Sequence, residues 1–282
     1  MNRWKIGRVT VTRVVEIEGP TRGTFLFAPA TPENILRHAW LQPHFASPEG
    51  YFISAVQAWV IESEDRRIIV DTCVGNDKPR SLKFWNMLQT NFLTDLAEAG
   101  FPRQSIDTVL CTHLHVDHVG WNTMLSGDRW VPTFPHARYL FARREWDYWS
   151  QQPSHPEGDV MGDSVRPVIE AGLCELVEMD HRLTDEVWLE PTPGHTPGHV
   201  SVRISSEGRE AVITGDLMHH PVQCAEPDWA SNYDADPAAA RQTRREFLAR
   251  YADGPVLVLG THFATPSAGH IVSEGAVWRL AV

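Results

Sequence analysis

The stretch Thr112-His113-Leu114-His115-Val116-Asp117-His118-Val119-Gly120 contains three histidines and one aspartate within six consecutive positions. It follows directly on residues 106–111, a segment that predicts a strand. In an extended segment alternate side chains point to the same side, so His113 and His115 share one face. The turn that follows then directs the aspartate and the third histidine towards a neighbouring point. This pattern of side chains at a strand end is typical of a metal site.

Each of three later predicted strands, at residues 187–189, 211–214 and 255–259, is followed by one more residue of ligand type. These residues are His195, Asp216 and His262. Together with the first cluster they give five histidines and two aspartates, more than the three or four protein ligands of one zinc site. We therefore predict two divalent ions, zinc or else manganese, iron or cobalt. The predicted ligands are His113, His115 and His195 for one ion and Asp117, His118 and His262 for the other, with Asp216 between them.

The predicted elements favour an α/β (α+β) fold of stacked sheets covered by helices. Strands come in pairs and groups, and helices are interspersed less regularly than in a doubly wound fold. Periodicity predicts helices at residues 84–100, 143–150 and 237–251. We expect residues 1–282 to form a single domain, in which the Pro-rich segment 1–50 folds over the site as a lid or makes a dimer contact.

Composition argues against several classes of partner. The net charge is −11 and there is no basic run, so nucleic acid is not expected to bind. No apolar stretch is long enough to span a membrane. The N-terminus alternates apolar and polar residues like a strand and unlike a secretory signal, and the four cysteines are scattered. We therefore expect a cytoplasmic protein with reduced thiols.

The histidine cluster resembles the signature of the metallo-β-lactamase superfamily. Residues 193–199, 214–216 and 260–262 match the later motifs of that family in order, and Asp71 resembles its structural strand-ending aspartate. The resemblance covers roughly residues 50 to 265 and implies a four-layer αββα sandwich. Within the superfamily the chain is most similar to the branch of quorum-quenching lactonases and methyl parathion hydrolase. The usual form of that branch implies a homodimer.

The predicted reaction is attack by a bridging hydroxide on a lactone, carboxylic ester or phosphotriester of an apolar small molecule. Asp117 is the candidate to accept and return the proton. Many quorum-quenching lactonases have a tyrosine three residues after the bridging aspartate, where this chain has His219. That departure favours the parathion-hydrolase side of the branch, and it leaves His219 either as a donor to substrate or as support for the site. The predicted substrate pocket contains Trp121, Phe25, Phe27 and His219.

Two alternatives remain open for a site of this kind. A thioesterase like glyoxalase II has the same ligand order but usually carries a C-terminal glutathione-binding extension, whereas twenty residues follow His262 here. A redox di-iron protein of the superfamily typically has glutamate where His115 stands, together with a flavin domain.

Overall fold

Two β-sheets stacked face to face form the centre of the protein in a computed structural model, which describes residues 2–152 and 155–282. The strands are β1 (Arg3–Ile6), β2 (Val9–Thr21), β3 (Phe52–Ser63), β4 (Arg66–Val70), β5 (Thr108–Leu110), β6 (Thr123–Ser126), β7 (Arg129–Pro132), β8 (Arg138–Ala142), β9 (Cys174–Val177), β10 (Val187–Pro191), β11 (Val200–Ser206), β12 (Arg209–Ile213), β13 (Leu257–Leu259), β14 (Ala268–Glu274) and β15 (Val277–Ala281).

The first sheet has the strand order β1-β2-β3-β4-β5-β8-β9, and the second has the order β10-β11-β12-β13-β14-β15. Strands β6 and β7 form a separate hairpin. Neighbours in the two large sheets are antiparallel except for β4-β5, β5-β8, β8-β9 and β12-β13, which are parallel. The parallel strands β4, β5 and β8 end at the same edge of the first sheet, and the loop after β5 carries the histidine cluster.

Helices lie on the outer faces of both sheets and in the connections between strands. They are α1 (Gly23–Leu26), α2 (Pro32–Leu36), α3 (Phe92–Glu98), α4 (Val116–Val119), α5 (Arg143–Trp149), α6 (Arg166–Glu170), α7 (Val222–Ala225) and α8 (Pro237–Tyr251). Helix α8 begins as predicted, with Pro237 in its first turn and the Asp236 carboxylate accepting from two backbone N–H groups. Across the described ranges, no helix combines the length and apolar character that crossing a bilayer requires.

The period-two alternation of β3 shows how the layers are built. Trp59 and Ile61 face the second sheet and pack with residues of β11 and β12. Ala58 and Val60 point the other way and pack against α3 and α6. On the outer face of the second sheet, Val212 and Val258 pack against α8. The order of layers is therefore helix, sheet, sheet, helix, which confirms the predicted αββα fold.

The helix predicted at residues 84–100 is wrong over its first half, because only α3 is helical there. Met87 has a φ of 53°, which interrupts a right-handed helix. The side chain of Asn76 bonds both backbone groups of Thr90, accepting from its N–H and donating to its carbonyl. Contacts distant in sequence thus fix this segment as an irregular loop, which an amphipathic pattern alone does not reveal.

Candidate metal centre

All seven predicted ligands converge at one end of the sandwich, and they form two sets. The first ligand set consists of His113, His115, His195 and Asp216. Its histidine nitrogens are in direct contact: His115 Nδ1 lies 3.0 Å from His113 Nε2 and 2.8 Å from His195 Nε2. Asp216 Oδ2 lies 3.4 Å from His195 Nε2. These atoms surround a point at which a single ion can contact all of them.

The second ligand set consists of Asp117, His118 and His262. His118 Nε2 and His262 Nε2 lie 3.3 Å apart, and the Asp117 carboxylate lies 3.6 Å from the first and 3.5 Å from the second. Asp216 reaches this set as well, because its Oδ1 is 3.1 Å from His262 Nε2 and its Oδ2 is 3.4 Å from His118 Nε2. Asp216 therefore lies where the sequence places it, between the two sets.

In four of the five histidine rings, Nδ1 points away from the centre and donates a hydrogen bond to a nearby oxygen. This hydrogen bond fixes the orientation of the ring. These contacts are His113 to Thr112 Oγ1 at 3.1 Å, His118 to Asp71 Oδ2 at 2.9 Å, His195 to Asp234 Oδ1 at 2.9 Å and His262 to the Ala55 carbonyl at 2.8 Å. With the proton held on Nδ1, each Nε2 turns a lone pair towards the centre. Such lone pairs repel one another at these distances unless cations lie among them. The donor set therefore fits two divalent metal ions.

Charge at the centre leads to the same conclusion. Burial lowers the pKa of His113, His115 and His195 well below the ordinary value, so these rings are neutral and able to ligate. Burial acts in the same direction on His118, but the carboxylates of Asp216, Asp71 and Asp117 outweigh it and raise its pKa well above the usual value. A field that stabilises positive charge on an imidazole also stabilises a cation beside it.

Asp216 is itself positioned by a histidine that is not a ligand. His199 donates from Nδ1 to the Thr192 carbonyl at 3.0 Å and accepts the Asp216 backbone N–H on Nε2 at 2.8 Å. Burial lowers the pKa of His199 to about 4, which keeps the ring neutral and able to accept. Gly215 has a φ of 55°, and a Cβ there would lie 2.5 Å from His199 Nε2. The Gly-Asp pair after β12 is therefore a requirement of the geometry.

His219 lies beside the centre with neither ring nitrogen hydrogen-bonded, although the residue is only 2% exposed. Its Nε2 is 3.2 Å from Asp216 Oδ2, and its ring stacks on that of His262 with centroids 6.1 Å apart. His219 also lines the cavity above the ligands. A buried imidazole with unused hydrogen-bonding capacity is available to a bound substrate.

A cavity of about 510 Å³ opens above the two ligand sets. His115, Asp117, His195, Asp216 and His262 contribute to its floor, and its walls are mainly apolar. The apolar wall residues include Ile17, Pro20, Phe25, Leu26, Val56, Leu82, Phe84, Trp85 and Tyr233. The N-terminal segment thus contributes Pro20, Phe25 and Leu26 to the wall, while its proposed action as a lid or dimer contact stays a prediction.

Two residues assigned to the pocket from sequence do not line it in the described structure. Trp121 is buried under the first sheet, where its ring stacks on Phe92 and its Nε1 donates to Glu16 at 2.6 Å. Phe27 is fully buried and packs edge-on against His219, so it supports that ring from behind. Phe84 and Trp85 supply aromatic wall instead, from the loop that the sequence predicts to be helical.

The sequence did not reveal the role of Asp234, whose carboxylate accepts a hydrogen bond from His195 Nδ1. Asp234 lies in the irregular segment between α7 and α8, where it accepts from the Ser231 backbone N–H at 2.8 Å as well. It does not follow a strand and belongs to no recognisable motif. Only the fold brings it to the back of His195.

Comparison with known proteins agrees with this geometry. The sequence model of the metallo-β-lactamase superfamily matches residues 53–262. The chain therefore belongs to the metallo-β-lactamase superfamily, which confirms the resemblance drawn from the motifs.

An N-acyl homoserine lactonase from Bacillus sp is 24% identical over 170 residues, which cover 56% of this chain and 61% of that relative. Among solved structures, AidC, described as a dizinc quorum-quenching lactonase, has a TM-score of 0.80 at 20% identity and covers 99% of this chain and 96% of its own. AbOPH, described as a hydrolase in the β-lactamase superfamily, has a TM-score of 0.79 at 23% identity, with the same coverage. At such identities the structural likeness establishes a common fold.

Proposed function

We propose that this chain is a dinuclear metal-dependent hydrolase that cleaves a lactone, carboxylic ester or phosphotriester of an apolar small molecule. The observation that carries the proposal is the pair of ligand sets, joined by Asp216, at the floor of a cavity with apolar walls. The two ligand sets would hold two divalent ions, which we propose to be zinc with manganese, iron or cobalt as alternatives. When bound, such ions would polarise the scissile group and make hydroxide available near neutral pH.

The position of Asp117 supports a role in proton transfer. Its carboxylate lines the cavity and lies against the Nε2 atoms of His118 and His262. From there it can accept the proton of the attacking water and return it to the leaving oxygen. His219 lines the same cavity, with its Nε2 3.2 Å from Asp216 Oδ2, and can donate a hydrogen bond to a substrate oxygen.

The apolar walls of the cavity support an apolar substrate. Phe84 packs against both Phe25 and Trp85, with ring centroids 5.5 and 5.3 Å apart, and the three rings form an aromatic side to the cavity. Each methylene buried against such a wall contributes about 0.8 kcal/mol. The name of the Bacillus relative makes lactones with an acyl chain the first substrates to test. A homodimer in the cytoplasm stays a prediction.

A substrate panel tests the proposal directly. Purified protein is analysed for metal content and assayed with N-hexanoyl homoserine lactone, γ-lactones of increasing chain length, a nitrophenyl ester, a phosphotriester and a thioester. We expect two ions per chain and turnover of at least one oxygen ester. Within a homologous series, kcat/KM should rise roughly fourfold per methylene until the cavity is filled. Two bound ions without hydrolysis of any oxygen ester, or preference for the thioester, would overturn the assignment.

The variant His219→Phe distinguishes the two roles of that residue. Phenylalanine keeps the ring packed against Phe27 and His262 but removes both nitrogens. If His219 donates to a substrate oxygen, kcat/KM for an alkyl lactone should fall by about 10². A nitrophenyl ester, whose leaving group needs less protonation, should be affected less. The metal content is expected to stay at two ions. If the variant turns over both substrates as fast as the wild-type protein does, His219 has a supporting role.

A further inference from the structure

Helix α5 presents two buried side chains one turn apart, Glu145 and Trp149, beneath the first ligand set. Neither is a ligand. Glu145 Oε1 accepts from the Leu114 backbone N–H at 3.1 Å and from the Trp149 indole N–H at 2.7 Å. Its other oxygen, Oε2, accepts from the Gly198 backbone N–H at 3.0 Å. A buried carboxylate with these three donors is well satisfied, so it is a fixed point in the structure.

The two backbone donors belong to the two loops that carry the first ligand set. Leu114 lies between His113 and His115, and Gly198 lies in the turn that begins at His195. These loops leave different sheets, yet His115 Nδ1 and His195 Nε2 are 2.8 Å apart. A Cβ on Gly198 would lie 2.2 Å from the backbone nitrogen of Glu145, so glycine is required for the approach. Glu145 therefore joins the two loops directly behind the point where their ligands meet.

His115 depends on this helix more than the other ligands do. In the described structure its Nε2 has no hydrogen-bond acceptor, whereas the other four histidines are oriented through Nδ1. The edge of Trp149 packs against the His115 ring instead, with centroids 5.3 Å apart and planes at 72°. The same indole is held by its hydrogen bond to Glu145. Packing against Trp149 therefore orients the His115 ring, a task that a hydrogen-bond acceptor performs for the other four histidines.

We propose that Glu145 and Trp149 are positioning residues for the metal ion of the first ligand set. Glu145 fixes the distance between the His113–His115 loop and the His195 loop, and Trp149 fixes the orientation of the His115 ring. Loss of Glu145 weakens the first ion and leaves the second ligand set intact, because among the described residues no hydrogen bond or ion pair links Asp117, His118 or His262 to α5. The proposal concerns metal binding, so it stands or falls independently of the substrate.

The test measures metal affinity by chelator competition in the full-length protein loaded with Zn²⁺ or Co²⁺. Glutamine at position 145 keeps the size of the side chain but turns an NH₂ group towards one of the three donors. In Glu145→Gln we expect one of the two ions to bind about 10- to 100-fold more weakly, the range typical of residues that support metal ligands. Trp149→Phe keeps the ring against His115 and removes only the indole N–H, so a smaller loss of the same ion is expected.

Glu16 offers a matched control. It is also a buried carboxylate, and it accepts from the Trp121 indole N–H at 2.6 Å and from the Val74 backbone N–H at 2.8 Å. None of its partners is a ligand residue, so Glu16→Gln should destabilise the fold to a similar degree and keep both ions. Wild-type affinity for both ions in Glu145→Gln would overturn the proposal, as would equal loss in the Glu16→Gln control. If Glu145→Gln does not fold, Trp149→Phe decides: unchanged affinity for both ions contradicts the proposal.

Discussion

Replacing Asp216 with alanine is expected to leave fewer than two bound metal ions and to lower hydrolysis by at least about 10³-fold. The two oxygens of Asp216 contact both ligand sets, with Oδ2 3.4 Å from His195 Nε2 and Oδ1 3.1 Å from His262 Nε2. Without this carboxylate the site loses the anionic group that lies between the two sets, so the repulsion between two cations bound close together increases. Metal content and initial rates on the best substrate of the panel measure the two effects.

Wild-type protein stripped of metal and then reloaded is the control for the Asp216→Ala experiment. Reloading should restore both ions and the full rate in wild-type protein but not in the variant. Circular dichroism of the two proteins without metal checks that the sandwich still forms. A variant with two ions and full activity would contradict the assignment of Asp216 as the residue shared by both sets.

The ligands could be predicted from sequence because each stands next to a local signal. His113 to His118 follow a buried strand within one short window, and His195, Asp216 and His262 each come just after a strand, beside glycine, proline or threonine. Strand ends at one edge of a sandwich meet in space, so local patterns were sufficient to place distant residues together. The grouping of strands predicts stacked sheets covered by helices, and the resemblance to the superfamily implies the αββα order of layers.

The surroundings of the ligands could not be predicted in this way. Glu145 lies on an ordinary short helix, and Asp234 lies in an irregular segment. Their roles come from contacts between residues 31 and 53 positions apart for Glu145 and 39 apart for Asp234. The aromatic wall at Phe84 and Trp85 was missed for a related reason, since tertiary contacts override the helical pattern of that segment.

The variants Asp71→Asn and Asp234→Asn are each expected to weaken the binding of a different one of the two metal ions. Asp71 accepts from His118 Nδ1 at 2.9 Å and from the Thr112 backbone N–H at 2.7 Å, so Asp71→Asn should weaken the ion of the second ligand set. Asp234 accepts from His195 Nδ1 at 2.9 Å, so Asp234→Asn should weaken the ion of the first set. Each loss should be about 10- to 100-fold, because a carboxylate makes the imidazole a more basic ligand than an amide does.

Asparagine suits both positions as a test. Asp71 has a φ of 57°, a left-handed conformation that asparagine tolerates, so the backbone there should be retained. In the Co²⁺-loaded protein, the shifted Nδ1–H resonances of His118 and His195 report which ion is present, because each proton is held by one of the two aspartates. The His118 signal should be lost first in Asp71→Asn and the His195 signal first in Asp234→Asn. Asp71 bonds directly to His118 and reaches His113 only through the Thr112 hydroxyl, whereas Asp234 bonds directly to His195. Loss of the same ion first in both variants would therefore contradict the division into two ligand sets.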